Sequence, residues 1–117
     1  MRRANVFVNG TGAGVLEERD RGGSYHFRYH ESYKGDPVSL TMPVELKEFL
    51  FDRFPPFFDG LLPEGVMLDG LLRQRKIDKD DYFSQLLAVG NDLVGFITVL
   101  PATPEHESEL DGGGESA

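Results

Sequence analysis

Residues Ser24 to His30 alternate without a break: Tyr25, Phe27 and Tyr29 fall on one side, and His26, Arg28 and His30 on the other. A period of two is the geometry of an extended strand, whose successive side chains point to opposite faces. Aromatic rings on one face and polar groups on the other describe a strand with a buried and a wet side, as in antiparallel sheets. The preceding segments complete a meander. Val6-Phe7-Val8 favours strand, and Asn9-Gly10-Thr11-Gly12 is turn chemistry whose glycines accept positive φ. Val15-Leu16 resumes an apolar strand, and Gly22-Gly23 makes the second turn.

Beyond the meander the period changes. Tyr33 to Pro43 is irregular, broken by Gly35, Pro37 and Pro43. Within Val44 to Phe54, Leu46, Phe49 and Leu50 share one helical face, which predicts a short helix ended by Pro55-Pro56. Leu68, Leu71 and Leu72 make an apolar stripe for a helix over about 63–76. Pro63 and Glu64 suit its first turn, and Arg73, Arg75 and Lys76 its last. A further helix is expected from Asp78 or Asp80 as N-cap, carrying Tyr82, Phe83, Leu86 and Leu87, with Gly90 as its C-cap. Val94 to Leu100 reads as a central strand that pairs back onto the meander and stops at Pro101. The expected fold is α+β: a small antiparallel sheet, formed by the N-terminal meander plus a C-terminal strand, packed with two or three short helices.

Charge divides the chain. From Ala102 onward there are five acids (Glu105, Glu107, Glu109, Asp111, Glu115) and no Lys or Arg, while the preceding 101 residues carry 15 acids and 12 bases. The reading is one domain over 1–101 followed by an acidic tail over 102–117, whose Gly-rich, aromatic-free composition predicts disorder. Neither part offers the basic face that nucleic acid requires. No apolar run approaches the roughly 20 residues needed to span a bilayer. The N-terminus lacks a signal-peptide core, so a cytoplasmic protein is expected. There are no cysteines, which removes disulfides, thiolate chemistry and Cys-based zinc sites.

Candidate chemistry is thin. His26 and His30 share a strand face but lie about 13 Å apart at strand rise, too far for one ion, and read as part of a solvated face. Asp78, Asp80 and Asp81 fit a helix start, and Glu64 fits another, without invoking metal or acid–base work. The Gly-x-Gly-x-Gly of residues 10–14 has no Lys-Ser/Thr after it and leads into a strand, so it is a turn and not a phosphate cradle. No serine sits in a Gly-x-Ser-x-Gly elbow. Phe54-Pro55-Pro56-Phe57-Phe58 is either a loop packed in the core or an exposed patch, and core packing is the better fit for rings of this size. Val66 and Met67 lie outside the leucine stripe, in the first turn of the helix. An exposed apolar helix tip makes a docking knob. The expectation is a domain with no catalytic residues, no metal and no cofactor, working by protein contact.

Several stretches together resemble a known family. They are Gly14-Val15-Leu16, the aromatic strand Tyr25–Tyr29, Pro37-Val38-Ser39-Leu40-Thr41-Met42-Pro43, and Phe57-Phe58-Asp59-Gly60-Leu61-Leu62-Pro63-Glu64-Gly65. Asp81-Tyr82-Phe83, Leu86-Leu87 and Gly90-Asn91-Asp92-Leu93-Val94-Gly95 continue the series. In this order they resemble the N-terminal subdomain of HipA-type toxin kinases, over about residues 5–101. The parts that bind ATP and Mg²⁺ in such kinases do not follow. A free-standing version is similar to HipS, the short antitoxin of HipB–HipS–HipT systems. The resemblance implies a protein that binds a HipT-like serine/threonine kinase near its active site and holds it inactive. A HipB-like helix-turn-helix protein would be a further partner in a ternary complex. It also implies an alternative, a non-inhibitory accessory N-terminal subunit or the truncated N-terminal domain of a HipA-type kinase. The segment expected to touch the partner is Pro63, Glu64, Gly65, Val66 and Met67.

Overall fold

The computed structural model describes residues 2–20, 23–93 and 96–102. The acidic tail expected over 102–117 lies outside the described residues, apart from Ala102. Strands β1 (Arg2–Val8) and β2 (Thr11–Asp20) form a hairpin in which Val8 pairs with Thr11. The two residues between them, Asn9 and Gly10, have φ of 52° and 81°. Both signs are positive, as a two-residue turn matching the strand twist demands, and the Asn-Gly pair supplies them at little steric cost. Strand β3 (Ser24–Tyr29) pairs with β2, and strand β4 (Glu48–Phe51) with β3. Strand β5 (Ile97–Ala102) returns to pair with β1. The sheet is antiparallel in the order β4-β3-β2-β1-β5.

The inner face follows the alternation. Tyr25, Phe27 and Tyr29 are buried, with Leu16, Val6 and Val99 beside them. Two short helices close over this face. Helix α1 (Pro56–Asp59) brings Phe58, whose ring centroid lies 6.2 Å from that of Phe27. Helix α3 (Tyr82–Val89) brings Phe83, stacked at 6.4 Å on Tyr25, together with Leu86. Phe54 packs edge-on against Tyr25 at 5.3 Å. The Phe-Pro-Pro-Phe-Phe run is therefore core: Phe54, Pro55 and Phe58 are buried and Phe57 half-buried. Aromatic pairs of this kind add about 0.5–1.5 kcal/mol each beyond the area they bury.

The irregular segment 33–43 is tied down by one hydroxyl. Tyr29 Oη donates to the Met42 carbonyl and accepts from the Val38 N–H. Burial pushes the Tyr29 pKa up, which keeps that donor protonated.

Four sequence expectations are corrected. The helix expected within 44–54 is a 3-10 turn over Val44–Leu46 followed by strand β4. Lys47, at φ 68°, breaks the helical path between them, and residues 48–51 pair with the otherwise open edge of β3. Pairing then separates the supposed helical face: Phe49 is half-buried, whereas Leu46 and Leu50 are exposed. Strand β5 is at an edge and not central, which suits Pro101, since proline has no N–H for a further strand. Val94 and Gly95, at the expected start of that strand, lie outside the described residues.

The other two corrections concern single side chains. The N-cap of α3 is Asp81, not Asp78 or Asp80, and its carboxylate accepts the Ser84 N–H at 3.2 Å. His26 is not solvated but buried, because Glu48 on β4 bonds it at 2.7 Å and Glu17 on β2 flanks its other nitrogen at 4.0 Å. Gly90 does cap α3, but in a right-handed conformation with φ −59°. A Cβ there would overlap the Val99 carbonyl, so close approach of α3 to β5 is what requires glycine.

Candidate functional site

Helix α2 (Gly65–Arg75) is lightly embedded: none of its residues is buried. Leu68, Leu71 and Leu72, the predicted stripe, are half-buried and turn toward the body. Of the five residues expected to meet a partner, four sit at the exposed end of the range. Pro63 is half-buried, and Glu64, Gly65, Val66 and Met67 are exposed. Val66 is 85% exposed and Met67 74%. Glu64 is the extended cap residue and makes no side-chain cap bond. Gly65 takes φ +62°, so the chain bends sharply into the helix there, a conformation that glycine adopts without strain. The helix closes with Lys76 in the left-handed region, its N–H and that of Ile77 both bonding the Leu72 carbonyl.

Both ends of this exposed helix are anchored. Before it, Leu61 N–H bonds the Phe58 carbonyl at 3.0 Å, and Leu61 and Leu62 pack against the core. After it comes α3, whose start is locked to the sheet by Arg2. The Arg2 guanidinium reaches Glu18 at 2.7 and 3.0 Å, Asp81 at 2.8 Å and the Ser84 hydroxyl at 2.7 Å. It also lies 5.1 Å from the Phe83 ring centre. Glu18, and then Asp81, push the guanidinium pKa further up against the effect of burial. Burial pushes the Asp81 carboxyl up, but the bonds from Arg2 and Ser84 outweigh it and leave its pKa lowered to about 2. Tyr25, which donates to Glu18, is pushed up to about 12, first by burial and then by that carboxylate. This cluster is fully partnered and serves to fix α3.

The outer sheet face carries the remaining polar side chains. Glu17 accepts from Arg3 and Arg19, each at 3.1 Å. Its burial raises its pKa, but the two guanidinium groups prevail and lower it. The His26 hydrogen bond lowers that of Glu48. A shallow hollow of about 460 Å³ lies over these groups. Among the described residues no hydroxyl is bonded to His26: Ser24 donates to Asp20, Ser39 pairs with Thr41, and Ser84 bonds Asp81. Among the described residues no three metal-binding side chains converge. What the arrangement does is pin β4 onto β3.

One apolar surface was missed from sequence. Leu50 is 73% exposed on the edge strand β4, beside an open hollow of about 540 Å³ lined by Met42, Phe49, Phe51 and Phe57. Assigning Leu50 to a helix hid its place on an edge. The short apolar run Phe49-Leu50-Phe51 is the sequence signal compatible with a strand there.

Residues 4–100 match the family model of the HipA N-terminal domain. The chain belongs to that family. Among relatives, a Haemophilus influenzae protein is 35% identical over 99 residues, covering 85% of this chain and 92% of that one. The Sinorhizobium fredii kinase candidates Y4mE and Y4dM are 29% and 31% identical over 97% and 72% of this chain. The HipA N-terminal domain described here spans only 27% and 24% of those two proteins. A solved structure, the N-terminal domain of HipA toxin, superposes with a TM-score of 0.71 at 34% identity, covering 89% of this chain and 95% of that one. Within this HipA N-terminal domain no helix of the described residues is long and apolar enough to cross a membrane.

Proposed function

We propose that this HipA N-terminal domain is an antitoxin-like module that docks near the active site of a HipA- or HipT-type serine/threonine kinase and holds it inactive. The observation that carries the reading is the pair Val66 and Met67, 85% and 74% exposed at the start of a helix with both ends anchored. Two apolar side chains kept in water by a rigid mount gain about 1.5–3 kcal/mol each when a partner buries them. Little ordering cost is then added, because the fold has already fixed their position. Inserted beside a kinase cleft, such a knob excludes nucleotide or substrate. In this reading Pro63, Glu64 and Gly65 set the angle of approach, and the domain needs no cofactor and catalyses nothing itself. It acts in the cytoplasm, and DNA enters only through a HipB-like partner.

A second reading has its own support. Two kinase candidates carry the matching region as about a quarter of their length, at 27% and 24%. That favours a supporting N-terminal subunit or domain of a kinase, without inhibition. Titrating the chain into a HipA-type kinase from its source organism separates the readings. Inhibition at stoichiometric binding is expected. Binding with undiminished phosphorylation selects the supporting role, and absence of binding overturns both.

A further inference from the structure

Ala102, Arg3, Glu17, His26 and Leu50 form a row straight across the sheet, each the cross-strand partner of the next, from β5 through β1, β2 and β3 to β4. The first of them is where β5 ends. Successive strand residues face opposite ways, so Ala102, three after the core residue Val99, lies on the outer face. It is buried there, although it stands outside the core cluster. The chain therefore leaves β5 on the surface of the sheet, at one end of this row.

The face it leaves from carries a surplus of positive charge. The hollow over it is lined from β1, β2, β3 and the two residues after β3, with no helix contributing. Arg3, Arg19 and Arg28 stand there against two carboxylates, Glu17 and Glu31. Glu17 is shared by Arg3 and Arg19, and Arg28 reaches Glu31 only at 3.7 Å, with both side chains mostly exposed. Glu48, beyond the hollow, is held by His26. Residues 1–101 together hold 15 acids and 12 bases, so this is a positive patch on an acidic body. Residues 103–117 carry the complement: Glu105, Glu107, Glu109, Asp111 and Glu115, with no Lys or Arg. The distances agree as well. Neighbouring strands about 4.8 Å apart put β2 roughly 10 Å and β3 roughly 14 Å from β5. At about 3.3 Å per extended residue, Glu105 reaches β2 and Glu107 reaches β3.

We infer that the acidic segment after β5 folds back over the outer face of the sheet in the same molecule and covers it, with its carboxylates against Arg19 and Arg28. Exposed ion pairs are individually weak and salt-sensitive. A short tether, however, holds such a segment at millimolar effective concentration, so several pairs acting together suffice. This cover is independent of the docking reading, which concerns α2.

The chain has no cysteine, so Ser108→Cys, made in the full chain, takes a single nitroxide label. In amide NMR spectra the label is expected to broaden Val15, Arg19 and Arg28. Most of that broadening is expected to disappear in about 1 M salt, where the screening length falls to roughly 3 Å. The same loss is expected when the five acids of the segment are made Gln or Asn, which leaves residues 1–102 untouched, and in the double variant Arg19→Gln, Arg28→Gln. Absence of broadening on β2 and β3 overturns the inference, as does broadening confined to α2 or to the β4 edge. Broadening that persists at full strength in the chain with the neutralised segment shows that charge does not seat it, and overturns the inference too. A mixture of spin-labelled chain with separate isotope-labelled chain identifies the source: broadening as strong in the mixture assigns the segment to a second copy and overturns cover within one molecule.

Discussion

Arg2 and Asp81 stand 79 positions apart in the chain and meet at 2.8 Å. Through that contact the first strand fixes the N-cap of α3, and residues 76–81 link α3 to the exposed helix α2. An ion pair made by the second residue of the chain thus helps to fix the segment that follows α2.

Asp81→Ala removes a cap and leaves Arg2 with one carboxylate, Glu18, in place of two. The expected loss of stability is about 2 kcal/mol, measured by urea unfolding, with the fold retained. If stability is unchanged, the lock is decorative.

The same residue sets an acid limit. Its pKa falls from an ordinary 3.8 to about 2 in the folded chain. A lowered folded pKa means that the unfolded chain takes up the proton first, so the stabilisation is complete above about pH 4 and is lost as pH falls toward 2. Glu17 and Glu48 are lowered too and act in the same sense. Unfolding midpoints followed from pH 5 to 2, on the order of half a unit apart, should drop less steeply in Asp81→Asn than in the wild-type chain. Equal slopes would contradict the assignment.

Gly90→Ala places a methyl group into the Val99 carbonyl, where α3 meets β5. Val99 N–H also bonds the Gly90 carbonyl at 2.9 Å, so the two cannot part without breaking a hydrogen bond. A cost on the order of 2–3 kcal/mol is expected in chemical denaturation. An unperturbed variant would mean that the helix–strand contact is looser than described.

Phe58→Ala deletes a fully buried ring under the sheet and should cost about 3–5 kcal/mol, a large share of the stability of a domain this size. Leu50→Ser, at an exposed edge position, should change stability by no more than about 0.5 kcal/mol. Circular-dichroism melts of the two variants check both.

Much of this architecture was legible from residue patterns. The Tyr25–Tyr29 alternation, the Asn9-Gly10 turn and the Leu86-Leu87 helix each met a single local rule, and tertiary contacts agreed with it. Residues 44–54 did not: Leu46, Phe49 and Leu50 fit a helical face, while Phe49, Leu50 and Phe51 fit a strand, and the open edge of β3 decided between them. His26 looked solvated because its burial comes from Glu17 and Glu48, on neighbouring strands. The residue pattern puts the cap at Asp78 or Asp80 because nothing local marks Asp81, which is selected by its contact with Arg2. At the candidate site, Val66 and Met67 stood out because they break the leucine stripe.

The most direct test is the double variant Val66→Asp, Met67→Asp titrated against the HipA-type kinase of the source organism. Both side chains are exposed, so folding should be unchanged by circular dichroism and thermal midpoint. The account predicts that binding and inhibition are lost together. A folded double variant that still binds and silences the kinase as the wild-type chain does would contradict it.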